Sequence, residues 1–230
     1  MAHNGQLSIR CTPNLTPGRE RQARPISSAD LLSSLPTSIT KRFTRDTEVF
    51  GQGGSADYLY EVRTGAVRSY TLLEDGRRQI GSFFFPGDVF GIEAGITHQF
   101  STDAIVDSSV ALLKWPAGPM AAHDLQFVYK LQIITAEQLR HAQEHSVLLG
   151  CMNARERMAT FLLDMGRRYG LAGDLIELIM SRQDIADYLG LTIETVSRRL
   201  SEMAESETIE LTSTRWVRLR NLRTLMELTQ

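Results

Sequence analysis

The sequence predicts an α+β protein built from an antiparallel β-roll, one long helix and a winged helix-turn-helix. Three observations predict it. Between about residues 40 and 115, short alternating runs are punctuated by glycine at roughly 8 to 12 residue spacing, the rhythm of a compact antiparallel roll. From Ala121 to Leu149, side chains recur at steps of four and three, the period of a helix. Residues 181–200, SRQDIADYLGLTIETVSRRL, spell two short helices joined by a glycine turn.

Residues 1–26 carry Asn, Pro, Gly and Arg without periodicity and read as a flexible N-terminal arm. Ser27-Ser28-Ala29-Asp30-Leu31-Leu32 reads as a capped short helix stopped near Pro36, and it opens a roll domain over 27–120. Within the roll, strands are predicted at Tyr58–Val62, Ala66–Tyr70 and Gln79–Phe83. Turns fall at Thr64-Gly65, Glu74-Asp75-Gly76 and Pro86-Gly87-Asp88. Gly51-Gln52-Gly53-Gly54-Ser55 lacks a following Gly-Lys-Ser/Thr and reads as a roll turn, not a phosphate loop. Phe83-Phe84-Phe85 reads as strand core.

Residues 121–150 form the dimerisation helix. Phe127, Leu131, Ile134, Gln138, His141, His145 and Leu148 make a heptad seam for a partner helix, so a homodimer is expected. Residues 151–230 read as the winged helix-turn-helix domain. It opens with an amphipathic helix carrying Met158, Phe161, Leu162 and Met165. The wing follows at Thr208–Leu211 and Trp216–Leu219, and Leu222 to Leu228 closes the chain as a short helix.

In the helix-turn-helix, Ala186 stands where the two helices pass closest. Gly190 supplies a left-handed turn, and Val196 packs the second helix back on the first. Ile185, Leu189 and Leu191 supply the small core. Thr192 is a good N-cap for the second helix, whose first turns expose Ile193, Glu194, Thr195, Ser197 and Arg198. Arginine can bond guanine O6 and N7 together, and a carboxylate can accept from cytosine N4, so this helix suits the major groove of double-stranded DNA.

Charge alone does not advertise nucleic acid. The 230 residues carry a net charge of −2, and from residue 151 onward 11 Arg face 12 Asp or Glu with no Lys. A specific reader fits this balance better than a general nucleic-acid coat. Arg198, Arg199, Arg215, Arg218, Arg220 and Arg223 could form a local positive face. Two cysteines, Cys11 and Cys151, make neither a disulfide framework nor a metal cluster. No apolar run approaches the roughly 20 residues that span a bilayer, and no basic-then-apolar leader is present, so no membrane partner and a cytoplasmic location are expected.

Roll, long helix and winged helix-turn-helix, in that order, resemble the CRP/FNR superfamily of bacterial transcription regulators. The most specific pieces are YLYEVRTGAVR at 58–68, FPGDVFG at 85–91 and ETVSR at 194–198. The resemblance implies a cyclic-nucleotide-binding-like roll and a palindromic operator read by a homodimer. The E-x-x-S-R pattern is that of the FNR and FixK branches and implies TTGA half-sites, as in TTGA-N6-TCAA. By this likeness Arg198 reads the guanine, Glu194 the opposing cytosine or its neighbour, and Ser197 a thymine. Ser181 and Arg182 would hold phosphates at a helix N-terminus, with Thr192, Ile193 and Thr195 flanking the bases. Arg199 stands where many such proteins place an apolar residue, and it would reach a phosphate.

Departures from the superfamily narrow the reading further. Cyclic-nucleotide members carry an Arg-Ser pair where this chain has Phe100-Ser101-Thr102-Asp103-Ala104, so a phosphate would meet an aspartate and no cation. FNR proper needs four cysteines for its iron–sulfur cluster. No cofactor is therefore expected. The chain resembles the FixK-like branch, activators for microaerobic respiration and nitrogen fixation that work with RNA polymerase. The competing reading is a small-molecule- or haem-gated regulator, with His98 as a lone haem ligand. A third reading is a zinc metallopeptidase, because His141, Glu144 and His145 match H-x-x-E-H. That motif lies on the seam helix without active-site context, so histidines at a polar stretch of the interface are the better account and no catalytic residue or metal is expected.

Overall fold

A computed structural model describes residues 39–114, 125–169 and 174–229. The N-terminal arm with Cys11, the short helix at 27–32 and the first residues expected of the long helix lie outside them. The strands of the roll are β1 (Ile39–Phe43), β2 (Glu48–Phe50), β3 (Tyr58–Thr64), β4 (Val67–Leu72), β5 (Arg78–Phe84), β6 (Val89–Phe90), β7 (Ser101–Ala104) and β8 (Ser108–Lys114). They form two antiparallel four-stranded sheets, ordered β1-β8-β3-β6 and β2-β7-β4-β5. The three strands named from the sequence are among them. The turn between β3 and β4 demands its glycine. Gly65 has φ +82°, and a Cβ there would sit 2.6 Å from the Asp107 carbonyl oxygen.

Strand β3 alternates between two cores. Tyr60 and Val62 point into the roll with Val67, Phe90, Val110 and Leu112. Leu59 points outward, where it meets helix α1 (Leu125–Cys151). Within the single chain, the predicted stripe Phe127, Leu131, Ile134, Gln138, His141, His145 and Leu148 lies on the side of α1 that meets the chain's own roll and C-terminal core. Phe127, Leu131 and Ile134 pack on Leu59, Val89, Ala111 and Leu113 of the roll. The Gln138 amide donates to the Val89 carbonyl at 2.6 Å, and Leu148 joins the C-terminal core. Periodicity reports an apolar face, and the roll was the nearest surface able to bury it. Full burial of Phe127 and Ile134 contributes about 1.5–3 kcal/mol each.

The opposite face of α1 carries a second stripe. Leu125, Val128, Tyr129, Leu139 and Val147 are exposed there. Among the described residues, no helix is long and apolar enough to cross a membrane.

Helix α2 (Ala154–Tyr169) follows a two-residue break and buries Met158, Phe161, Leu162 and Met165. It underlies α3 (Arg182–Leu189) and α4 (Ile193–Glu205). Arg157 pegs these pieces together, donating to the carbonyls of Met152, Leu149 and Leu189, each at 2.8 Å. The last two are orphan acceptors at the ends of α1 and α3. The wing is larger than expected. Strands β10 (Ile209–Leu211) and β11 (Trp216–Leu219) pair as foreseen, and β9 (Leu175–Glu177), upstream of α3, adds a third strand against β11. Helix α5 (Leu222–Glu227), capped by Asn221, closes the described chain.

His145 lies where α1, α3 and the roll meet. Its Nε2 is 2.8 Å from the Tyr188 carbonyl, and its ring stacks on that of Tyr188 at 4.2 Å between centroids. Burial holds its pKa below the ordinary histidine value, against an opposing hydrogen bond to Tyr188. The neutral ring therefore belongs to the folded state, and the unfolded chain takes the proton more readily. Stability from this site is full above about pH 6.5 and is lost as pH falls through the lower folded value. His145→Phe, which keeps the stack, is expected to flatten the fall in melting temperature between pH 7 and pH 5. Equal slopes for the two proteins would refute this.

Candidate nucleic-acid interface

The helix-turn-helix forms for local reasons. Ser181 caps α3 in a closed capping box. Its hydroxyl accepts from the Asp184 N–H at 3.0 Å, and its own N–H donates to the Asp184 carboxylate at 3.0 Å. Gly190 ends the helix with φ 61° and ψ 41°, a left-handed conformation that costs other residues roughly 1–2 kcal/mol. Ile185, Ala186, Leu189 and Val196 are fully buried between the helices, and Leu191 is half-buried beside them.

Thr192 caps α4, accepting from the Thr195 N–H at 3.2 Å. The helix is sharply two-faced. Val196, Leu200 and Met203 are buried, whereas Ile193, Glu194, Ser197 and Arg198 are exposed and Thr195 is half-buried. Glu194, Ser197 and Arg198 share one face by their three- and four-residue spacing. The backbone N–H of Glu194 at the helix start, with the Thr192 hydroxyl, holds the Glu194 carboxyl below the usual carboxylate range. The group is therefore an ionised acceptor, aimed outward.

The positive face imagined over six arginines is smaller than its count. Arg199 pairs with Glu202, Arg218 and Arg220 with Glu210, and Arg223 with Glu227. Among the described residues, Arg198 and Arg215 have no ion-pair partner, and both are exposed. Arg215 sits in the wing loop and Arg198 on the reading helix. Arg182 lies against the wing loop. Its Nη2 donates to the Thr214 carbonyl at 3.2 Å, so it ties the start of α3 to the wing tip. Burial lowers its pKa from the ordinary arginine value.

The other sequence candidates fall apart in space. Glu144 is exposed and paired with Arg140 at 2.7 Å, while His145 turns inward to Tyr188. The H-x-x-E-H residues do not converge. Among the described residues, no group of three His, Cys, Asp or Glu is placed to hold a metal. Asp103 needs a correction too. It does not repel a phosphate inside the roll, because its carboxylate meets Arg68 on the sheet face that docks α3, with Nη2 3.0 Å from Oδ2. The cation missing from its own stretch comes from β4. The roll interior is filled by aromatic rings. Phe50 stacks on His98 at 3.6 Å, and Phe90 stacks on Tyr60 and on Phe84 at 5.2 and 5.1 Å. His98 is buried there with Nδ1 3.4 Å from Glu93.

Known proteins match this architecture along the chain. The Crp-like helix-turn-helix domain family matches residues 156–228, and the cyclic nucleotide-binding domain family matches residues 40–122. The nitrogen fixation regulation protein FixK of Azorhizobium caulinodans is 41% identical over 214 residues, covering 91% of this chain and 84% of that protein. FixK of Rhizobium meliloti is 40% identical over 201 residues, covering 85% and 92%. The structure of FixK2 from Bradyrhizobium japonicum superimposes with a TM-score of 0.80 at 48% identity, over 83% of this chain and 96% of that one. The chain belongs to the CRP/FNR superfamily of DNA-binding transcription regulators, in its FixK-like branch.

Proposed function

We propose that this regulator binds a TTGA-N6-TCAA palindrome as a homodimer and activates genes of nitrogen fixation and microaerobic respiration, with no cyclic nucleotide or iron–sulfur cluster required. The observation that carries the reading is the exposed row Glu194, Ser197 and Arg198 on α4, with the opposite face of that helix buried. Arg198 reads guanine, Glu194 accepts from the opposing cytosine or its neighbour, and Ser197 contacts a thymine. Ser181, Arg182, Thr192, Ile193, Thr195 and Arg199 line the flanks, near the phosphates. Relatives named for nitrogen fixation regulation support the target class. Roll and wing surfaces would meet RNA polymerase, and the exposed Leu72 and Leu73 at the tip of the β4–β5 hairpin offer one such surface.

The dimer seam moves to the free face of α1, through Leu125, Tyr129, Gln132, Ala136, Leu139, Gln143 and Val147. These positions recur at steps of three and four, and each is exposed in the single chain. Two α4 helices related by a two-fold axis would then enter successive major grooves about one turn, or ~34 Å, apart. Half-sites separated by six pairs have that spacing between their centres. The test is binding of the ligand-free protein to TTGA-N6-TCAA against a scrambled duplex at physiological salt. A preference on the order of 10³-fold or more supports an effector-independent reader. Equal binding would show that an effector gates the protein or that the half-site is wrong.

A further inference from the structure

The roll and the reading head are joined by a buried network of charges that DNA contact does not require. Arg68 on β4 is only 7% exposed and distributes its guanidinium over three carboxylates. Nη2 bonds Asp103 at 3.0 Å and Asp46 at 3.1 Å, and Nη1 bonds Asp184 at 2.8 Å. Nε lies 2.7 Å from Asp103 Oδ1, close enough for attraction although poorly angled for a hydrogen bond. Arg78 on β5 adds Nη2 to Asp184 at 2.6 Å and Nε to Asp187 at 2.8 Å. The Gln183 amide holds the other Asp187 oxygen at 2.6 Å.

Asp184 is the hub. It is 2% exposed, and each of its oxygens has a separate task. Oδ1 takes both arginines of the roll, and Oδ2 takes the N–H and hydroxyl of Ser181 at 3.0 and 2.7 Å. One carboxylate thus joins the roll to the N-terminal cap of α3, and α3 carries α4 through Ala186, Gly190 and Val196.

Buried ion pairs lose most of their attraction to desolvation, and apolar packing would hold two surfaces together as well. Apolar contact tolerates sliding and rotation. Bonds from two planar guanidinium forks to fixed carboxylates do not. We propose that Arg68 and Arg78 are positioning residues for DNA recognition: through Asp184 and Asp187 they fix the orientation of the reading head on the roll, and so the half-site spacing that a dimer accepts. This rests on the homodimer and palindrome reading above.

The experiment uses the full-length protein on duplexes whose half-sites are separated by five, six or seven pairs, and on a duplex with a single half-site. The wild type is expected to favour six pairs by on the order of tenfold or more, because one pair added or removed turns the second site about 36°. If it shows no such preference, the dimeric reading itself fails. Arg78→Gln, with an unchanged dimer mass and a cooperative melt, is expected to shrink that preference at least about threefold, and Arg78→Lys to restore part of it. Discrimination of TTGA from a scrambled single half-site is expected to stay at the wild-type level. Uniformly weaker binding with the spacing preference intact would mean that the network only adds stability, which overturns the proposal. Unchanged binding at every spacing overturns it as well. If Arg78→Gln does not fold, Asp187→Asn removes the outer bond while leaving Arg68 and Asp184 paired, and the same spacing ratio decides.

Discussion

Arg198→Ala is expected to cost about 1–3 kcal/mol at each half-site and to relax the choice of base at the guanine. The side chain is exposed, lies on the open face of α4 and has no ion-pair partner among the described residues, so its loss leaves no buried charge behind and the fold is expected to be unaffected. Two half-sites double the effect, because a symmetric operator uses the residue twice. Arg182→Ala gives the contrast. That side chain braces the Thr214 carbonyl at the wing tip and stands at the start of α3. Its loss is expected to weaken operator and scrambled DNA alike and to reduce the salt slope by about one ion. Titrations of operator, guanine-substituted and scrambled duplexes at several salt concentrations separate the two. Equal losses of specificity from both substitutions would sink this division of labour.

Leu139→Glu is expected to separate the dimer, raising its dissociation constant by on the order of 10²-fold with little effect on the melting of the isolated chain. Leu139 is 59% exposed on the free face of α1, so a carboxylate there is solvated in one chain and meets its own copy in two. Ile134→Ala should do the reverse. Its side chain is buried on Leu59 and Ala111 of the same roll, and truncation there removes about 2–5 kcal/mol of folding stability without touching the seam. Sedimentation reads the first effect and thermal melting the second. Should Ile134→Ala dissociate the dimer while Leu139→Glu leaves it whole, the two faces of α1 have been assigned the wrong way round.

Local chemistry was legible in the sequence, and long-range partnership was not. Gly190, Thr192 and the Ala186/Val196 spacing could be read because each acts on neighbours within a few residues. The three strands named in the roll alternate strongly and end in glycine turns, whereas β2, β6 and β9 hold two or three residues each and exist through partners far along the chain. The stripe on α1 was visible at the right positions, but a period cannot say which surface covers it. Arg68 and Asp184 stand 116 residues apart, so their bond left no local signal. The arginines beyond residue 197 could be counted, yet only geometry revealed that Glu202, Glu210 and Glu227 occupy four of them.

The long helix has consequences for how such a chain can change length. Each residue inserted into an α-helix turns everything beyond it by about 100°, and seven residues bring the phase back to within about 20°. A surface helix with one buried stripe could absorb such a slip by rolling on its neighbour. Here the roll holds one side of α1, and on our reading a second copy holds the other, so no rotation satisfies both. Even a seven-residue step, which restores the phase, would carry the head about 10 Å along the axis and off the bonds from Arg68 and Arg78 to Asp184 and Asp187, so the span between Phe127 and Leu148 should tolerate no change of length.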